Sequence, residues 1–185
     1  FGLSDRAWIV CDAFKALWRE AHSNVEDLWG NLETAMREAI VNPGQIYRAK
    51  GMAIRKDGSW LRIRLPSGRY LSYPGAMVDE KGKISSAAIT HFPRHWCRVS
   101  SYGGKIAENV VQAISRDILA HGIVGAYEAG YNPVLSIHDE IITDAPNSDK
   151  FTVKGLAGIM SNNPEWAEGL PLAAAGFEAM RYRKD

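Results

Sequence analysis

His138, Asp139 and Glu140 stand between two short apolar runs and are the side chains best placed for chemistry. The runs, 134–137 and 141–143, are rich in β-branched residues, which is typical of buried strands. This spacing predicts a tight hairpin that carries His138 and Asp139 at or near its tip and projects a carboxylate into a cleft. Carboxylate oxygens are ligands that Mg²⁺ takes. The triplet is therefore a candidate metal site, although such triplets also occur by chance on solvated loops.

The elements before this hairpin begin with helices. Two stretches with apolar residues at helical spacing precede Asn42-Pro43-Gly44, which is expected to end the second helix because proline cannot continue the hydrogen-bond ladder. Trp18 and Trp29 lie on the apolar stripes and are predicted to belong to the core. Cys11 and Cys97 lack metal-type spacing, so we predict two buried thiols in a reducing compartment.

From Gly51 the pattern changes to strands. In 60–65 the aliphatic residues alternate with Arg62 and Arg64, so the two kinds of side chain are expected on opposite faces. Residues of about 52–99 are therefore predicted to form an antiparallel β insertion. Its arginine-rich face fits a solvated surface and a phosphate-contacting surface equally well.

A long helix is predicted over 105–127. Four of its polar residues, at i, i+4, i+7 and i+11, form a single stripe: Lys105, Asn109, Gln112 and Arg116. Glu108 flanks this stripe. Such stripes are usually solvated, but Asn, Gln and Arg in line also suit hydrogen bonding to groove edges and phosphates. Minor-groove edges offer acceptors at similar positions in all base pairs, so this stripe would contact a duplex without reading its sequence. After the hairpin we predict a helix over 149–160 and a last strand over 173–179.

Composition indicates an ordinary globular chain of 185 residues, with 46% hydrophobic and 23% charged residues. With 22 basic against 21 acidic residues, any nucleic-acid-binding surface has to be local. No apolar run approaches 18 residues and no secretory leader is visible, so we expect no membrane contact and a cytoplasmic location. The first residue is Phe1, which suggests a piece of a longer protein or one chain of a split one.

Several strings resemble family A, Pol I-like DNA polymerases. The string Ser-Ile-His-Asp-Glu-Ile at 136–141 looks like the third sequence motif of that family. The stretch 102–117 looks like the helix that touches the primer-template minor groove, and Gln112 matches the glutamine used there. Leu-Pro-Ser-Gly-Arg at 65–69 and Trp-Ala-Glu-Gly-Leu-Pro-Leu at 166–172 resemble the phage branch. The resemblance covers essentially the whole chain.

The resemblance implies a fold and a set of roles. The fold is α+β, the C-terminal part of the right-hand polymerase fold, with an antiparallel palm sheet and the motif hairpin packed against long helices. Residues 1–50 would be a helical segment that follows the fingers' nucleotide-binding helix, 51–101 the β insertion, and 102–185 the C-terminal part of the palm. Asp139 would bind metal, Glu140 would be its acidic neighbour, and His138 would lie near the primer terminus.

Two family features are missing: a second metal-binding aspartate and the fingers helix that holds the incoming nucleotide. Two-metal phosphoryl transfer needs carboxylates on both sides of the metal pair. Two Mg²⁺ ions would therefore be shared with residues outside this chain. The expected function is template-directed DNA synthesis from primer-template DNA and dNTPs, together with an upstream segment or companion chain. If the protein is encoded by a phage, it would act in the cytoplasm of the bacterial host.

Two other functions stay open. The first is a non-catalytic DNA-binding subunit that keeps the shape of the palm. The second is a metal-dependent phosphohydrolase built on His138 and Asp139. That chemistry needs further histidines, and those that the chain has do not form a ligand-like spacing with the pair: His22, His91, His95 and His121.

Overall fold

The computed structural model describes residues 5–90 and 93–182. Within them the chain is α+β, as expected, and all its strand pairs are antiparallel. The elements are, in order, α1 Asp5–Ala21, α2 Ser23–Val41, β1 Ile46–Ala49, β2 Met52–Asp57, β3 Trp60–Arg64, β4 Tyr70–Pro74, β5 Met77–Val78, β6 Ile84–Ile89, β7 Trp96–Ser101, α3 Gly103–Glu128, β8 Pro133–Ile137, β9 Glu140–Thr143 and α4 Val153–Met160, followed by a 3₁₀ turn at Glu165–Ala167. The chain divides after Val110, within α3, into two compact units.

Helix α2 contributes one apolar face to the core of the first unit. Its buried residues recur at spacings of three and four, so one face of the helix is apolar; they are Leu32, Ala35, Met36, Ala39 and Ile40. The helix ends at Val41, where the backbone N–H of Asn42 donates to the carbonyl of Glu38. The predicted stop at Asn42-Pro43-Gly44 is confirmed.

Helix α1 has an apolar stripe that the described residues leave exposed. Phe14 is 68% exposed, Leu17 61% and Trp18 43%. The prediction that both tryptophans belong to the core is wrong for Trp18, which stacks on the half-buried Trp29 at 5.9 Å between ring centroids. Helical spacing identifies an apolar face but not the surface that covers it. The predicted pair of buried thiols is also wrong: Cys11, on this stripe, is exposed, and Cys97, on β7, is only half-buried.

A four-stranded sheet, β1-β2-β3-β4, follows α2. Leu61, Ile63 and Leu65 are buried, whereas Arg62 and Arg64 are exposed, so the predicted alternation is confirmed. The sheet begins before Gly51, however, because Ile46–Ala49 already forms β1. Lys50 and Gly51 are the turn between β1 and β2 rather than the start of the strand pattern.

The first turn of α3 is joined to α2 within the first unit. The carboxylate of Glu33 accepts a hydrogen bond from the backbone N–H of Gly103 at 2.7 Å. A Cβ atom on Gly103 would collide with the backbone carbonyl of Trp29, so only glycine allows this approach. Ile106, Ala107 and Val110 are then buried along the helix. The predicted long helix is confirmed, with two more residues at its start and one more at its end.

The second unit contains the rest of α3, the hairpin β8–β9 and α4. Gly125 on α3 faces Ile159, and Gly122 faces Met160, which lets α4 approach closely. On this part of α3, Ala113, Leu119 and Ala126 are buried, whereas Val111 is 54% exposed.

Two predictions for the end of the chain need correction. Helix α4 begins at Val153 rather than at residue 149, because the hydroxyl of Thr152 accepts from the backbone N–H of Gly155 and caps it. No strand forms over 173–179 in the described part of the chain. This alanine-rich segment has low β-propensity.

Candidate functional site

The His138-Asp139-Glu140 triplet lies on a two-stranded hairpin, as the sequence predicted. Strands β8 and β9 pair with Ile137 opposite Glu140, so His138 and Asp139 form a two-residue turn. His138 has a positive φ of 53°. Histidine is among the few non-glycine residues enriched in this conformation. The hairpin therefore places Asp139 at its tip and Glu140 as the first residue of the returning strand.

The opposite end of the hairpin is closed by hydrogen bonds between Asn132 and Asp144. The backbone N–H of Asp144 donates to the carbonyl of Asn132 at 3.1 Å, and the Asn132 amide donates to the carbonyl of Asp144 at 3.3 Å. The register shifts between Pro133 and Leu135, which marks a bulge. Bulges bend a strand and re-aim the side chains beyond them. The base of the hairpin thus fixes the direction of its tip.

Tyr131 anchors this base and was missed by sequence reasoning. It is 6% exposed and packs edge-on against Phe151 at 5.2 Å between centroids. Its hydroxyl donates to the carbonyl of Thr152 and accepts from the backbone N–H of the same residue. The available signal was its position directly after Gly130 at the end of a long helix. Tyr131 joins the base of the hairpin to the N-terminus of α4.

The hairpin is more exposed than predicted. His138, Asp139 and Glu140 are all exposed, which suits side chains that meet a ligand. The flanking strands are not buried, however: Val134 is 57% and Leu135 51% exposed. The prediction of two buried strands is therefore wrong, because the described part of this chain supplies nothing that covers their apolar side chains.

The carboxylates of Asp139 and Glu140 fit part of a magnesium site. They are adjacent, exposed and of the oxygen-donor type that Mg²⁺ requires. Among the described residues, no group of three or more His, Cys, Asp or Glu side chains could hold a metal ion. These two residues can therefore provide protein ligands to a magnesium ion, which usually keeps several waters and binds substrate phosphates as well.

On α3, the predicted DNA-contacting residues of the first unit differ in exposure. Glu108 is exposed, whereas Lys105 and Asn109 are half-buried and line a cleft of about 440 Å³ between α3 and strands β4, β6 and β7. The Asn109 amide donates to the Tyr73 hydroxyl at 3.1 Å. Burial raises the pKa of Tyr73, and this hydrogen bond partly offsets the rise. Asn109 is thus held against β4 rather than directed freely into solvent.

The predicted DNA-contacting residues of the second unit are Gln112 and Arg116, one helical turn apart on α3. Both side chains are exposed, and neither forms a hydrogen bond or ion pair within the described ranges. Each is therefore available to a ligand. Their spacing places an amide and a guanidinium on the same face of the helix.

Comparison with known proteins supplies the last observation. The DNA polymerase of Bacillus phage SP02 is 33% identical to this chain over 172 residues, which are 91% of the chain and 26% of that polymerase. The chain therefore spans about a quarter of the length of the relative it matches. No family model matches the chain, and no solved structure matches it. Among the described helices, none is long and apolar enough to cross a membrane. The similarity to a phage DNA polymerase that the motifs predicted is confirmed.

Proposed function

We propose that this chain is one part of a DNA polymerase that carries out template-directed DNA synthesis. The observation that carries the proposal is an exposed carboxylate, Asp139, at the tip of a hairpin whose base is fixed, in a chain 33% identical to a phage DNA polymerase. The substrates in this proposal are primer-template DNA and dNTPs. The polymerase is of the family A type, and residues 102–185 are the C-terminal part of its palm in a right-hand fold.

Asp139 and Glu140 would hold the Mg²⁺ of such a polymerase. When bound, the metal activates the primer 3′-hydroxyl and neutralises charge on the triphosphate. Asp139 is the stronger candidate ligand because it lies in the turn, where no strand partner restricts its access. Glu140 is paired opposite Ile137 and would act as a supporting carboxylate. His138 would position the primer terminus.

Gln112 and Arg116 would contact the nascent duplex. An amide can bond to acceptors on minor-groove edges that occupy similar positions in every base pair, so it checks pair shape without reading sequence. A guanidinium suits phosphate, because its planar fork makes two parallel hydrogen bonds. Lys105, Glu108 and Asn109, on the part of α3 that belongs to the first unit, would also contact DNA, and the hydrogen bond to Tyr73 would fix the Asn109 amide.

A further polymerase segment, called here the companion segment, would complete the site, whether it is joined to this chain or separate. Two-metal phosphoryl transfer needs carboxylates on both sides of the metal pair, and Asp139 and Glu140 come from one hairpin. The apolar stripe of α1 and the apolar residues of β8 are also exposed. The companion segment would provide the second metal-binding aspartate and the helix that holds the nucleotide.

The test is single-turnover incorporation by the chain together with its companion segment, alongside equilibrium binding to the same primer-template. Asp139→Asn keeps the shape and removes the charge. Losing one electrostatic element of this type typically lowers the rate by about 10²–10³. Glu140→Gln is the matched control and should lower it clearly less, while both variants bind DNA normally. Parental rates for Asp139→Asn, or a larger defect for Glu140→Gln, would show that the metal site is wrongly assigned.

The competing function is a non-catalytic DNA-binding subunit, which would use the exposed Gln112 and Arg116 on α3. Without its companion segment the chain should show no primer extension under either proposal. With that segment present, extension that depends on Asp139 supports the polymerase. Extension that tolerates Asp139→Asn but weakens in Gln112→Ala supports the binding subunit.

A further inference from the structure

The outer face of the four-stranded sheet collects arginines from three neighbouring strands. Residues directly opposite each other in antiparallel strands share a face. The register places Arg55 opposite Arg62, and Arg62 opposite Ser72. A second row contains Arg48, Ala53, Arg64 and Tyr70. We call this surface the arginine face; it comprises Arg48, Arg55, Arg62 and Arg64 together with Trp60 and Tyr70.

The arginine face is strongly basic although the whole chain has a net charge of only +1. All four guanidinium groups belong to exposed residues. Asp57 lies opposite Trp60, on a third row of the same face, and bonds to Arg55 at 2.7 Å. Arg48, Arg62 and Arg64 have no ion-pair partner among the described residues. The face thus carries excess positive charge that the described protein does not neutralise.

This arrangement opposes the stability of the free protein. Like charges directly opposite each other on neighbouring strands are destabilising, and Arg55 faces Arg62. Arg62 and Arg64 are also two positions apart on β3, about 7 Å along the strand. That separation is comparable with the spacing of neighbouring phosphates along an extended nucleic-acid strand. An anionic polymer would remove the repulsion.

Two aromatic rings lie on the same face. Tyr70 is directly opposite Arg64 and is 53% exposed, and Trp60 is 44% exposed at the other end of β3. Large exposed rings beside unpaired arginines are the combination used by proteins that bind single strands, where bases stack on the rings and basic groups follow the backbone. A duplex keeps its base faces stacked on each other, so it would leave these rings unused.

We propose that the arginine face binds single-stranded DNA, with phosphates on Arg62 and Arg64 and bases stacked on Tyr70 and Trp60. This surface is separate in sequence from the residues assigned to catalysis and to the duplex. The inference rests on the geometry of the sheet and does not require the chain to take part in nucleotide transfer. Within the proposed polymerase, the occupant is the unpaired part of the template strand.

The experiment is fluorescence anisotropy of a labelled oligo-dT with the 185-residue chain, without metal ion, nucleotide or companion segment. The double variant Arg62→Gln, Arg64→Gln should bind more weakly. Each lost phosphate contact lowers the salt slope by about 0.7 for a single strand, so the slope should fall by about 1.4. Arg6→Gln, which removes one positive charge from an exposed position on α1, should bind like the parent.

The ring is tested separately by Tyr70→Ala and Tyr70→Phe. Stacking of one base on an aromatic side chain corresponds to a loss of about five- to 150-fold on alanine substitution. Tyr70→Phe keeps the ring and should retain parental affinity, which a purely structural role of the hydroxyl would not predict. Urea unfolding of each variant shows whether the fold is intact.

The proposal is overturned if the double arginine variant keeps the parental salt slope, or if Tyr70→Ala binds oligo-dT as the parent does. Tighter binding of a blunt duplex of the same length would assign the face to duplex phosphates instead and would also contradict it. Because the assay contains no companion segment or nucleotide, its outcome does not depend on whether the proposed polymerase activity is correct.

Discussion

One carboxylate holds the N-terminus of α3, the helix that carries the proposed groove contacts. Oε2 of Glu33 accepts from the Gly103 backbone N–H at 2.7 Å, and Oε1 accepts from Nη2 of Arg37 at 2.8 Å. Arg37 in turn donates through Nε to the carbonyl of Gly82 at 3.1 Å. We predict that Glu33→Gln destabilises the first unit although it preserves the size and shape of the side chain.

The magnitude follows from the contacts that the substitution removes. The side-chain oxygen of glutamine can still accept from Gly103, so that hydrogen bond survives. The negative charge beside a helix N-terminus is lost, which typically removes about 0.3–1 kcal/mol, and up to about 2 when partly buried. The ion pair with Arg37 is also lost; its side chains are 33% and 35% exposed, and pairs of this kind contribute up to about 1 kcal/mol. Together these give about 1–2 kcal/mol.

Glu33→Ala removes the hydrogen bond as well. Leaving a buried donor unsatisfied adds about 1–3 kcal/mol, and Gly103 is buried. In urea unfolding we therefore expect the free energy of unfolding to decrease from the parent to Glu33→Gln and further to Glu33→Ala. The slope of this free energy against denaturant concentration should stay unchanged. The control is Glu38→Gln on the same helix, because Glu38 makes only an exposed bond to Asn42 at 3.3 Å. If Glu33→Gln were no less stable than Glu38→Gln, the carboxylate would not hold the helix.

Three further predictions concern other parts of the molecule. Burial raises the pKa of Tyr73 above its usual value of 10.0. Because the phenol ionises first in the unfolded state, the free energy of unfolding should fall more steeply for the parent than for Tyr73→Phe as the pH rises above 10.0. Asn109→Leu should raise the pKa of Tyr73 further in a spectrophotometric titration. Gly155→Ala should destabilise the hairpin base, since the new Cβ would collide with the Tyr131 hydroxyl, and faster amide exchange at the start of α4 would report it. Arg62→Gln should raise the free energy of unfolding at low salt by about 0.2–1 kcal/mol because a like-charge pair is removed, and an unchanged or lower value would contradict the repulsion.

The parts of the fold that depend on neighbouring residues in sequence were predicted from sequence. The alternation of Ile63 with Arg62 and Arg64 needs only the two-residue period of a strand, and the stop after Val41 needs only proline geometry. The turn at His138 and Asp139 follows from two apolar runs separated by three polar residues. The sequence did not predict which residues of neighbouring strands lie opposite each other, because this register depends on turns and on long-range pairing. The arginine face therefore became visible only when Arg55 was found opposite Arg62.

The hairpin that carries the candidate site was predicted from the sequence, but the residues that support it were not. Tyr131 and Asn132 fix the hairpin through contacts with Phe151 and Asp144, and no sequence pattern pairs residues at those separations. Asn109 was predicted to face DNA, yet its amide bonds to Tyr73 on β4, a strand far away in sequence. In each case a distant backbone or side chain decides where a polar group points, and a local pattern carries no information about it.

The wrong burial predictions share one direction. Phe14 and Leu17 on α1, and Val134 and Leu135 on β8, have the spacing of buried residues but are more than half exposed. Random errors in reading a pattern would place some residues too deep and others too shallow. Here every wrong burial prediction concerns an apolar side chain that is more exposed than was expected. This indicates that these side chains contact a surface outside the described residues. This exposure supports the proposed companion segment. Adding it should protect the amides of α1 and β8 from hydrogen exchange, and unchanged exchange in both elements would mean that it docks elsewhere.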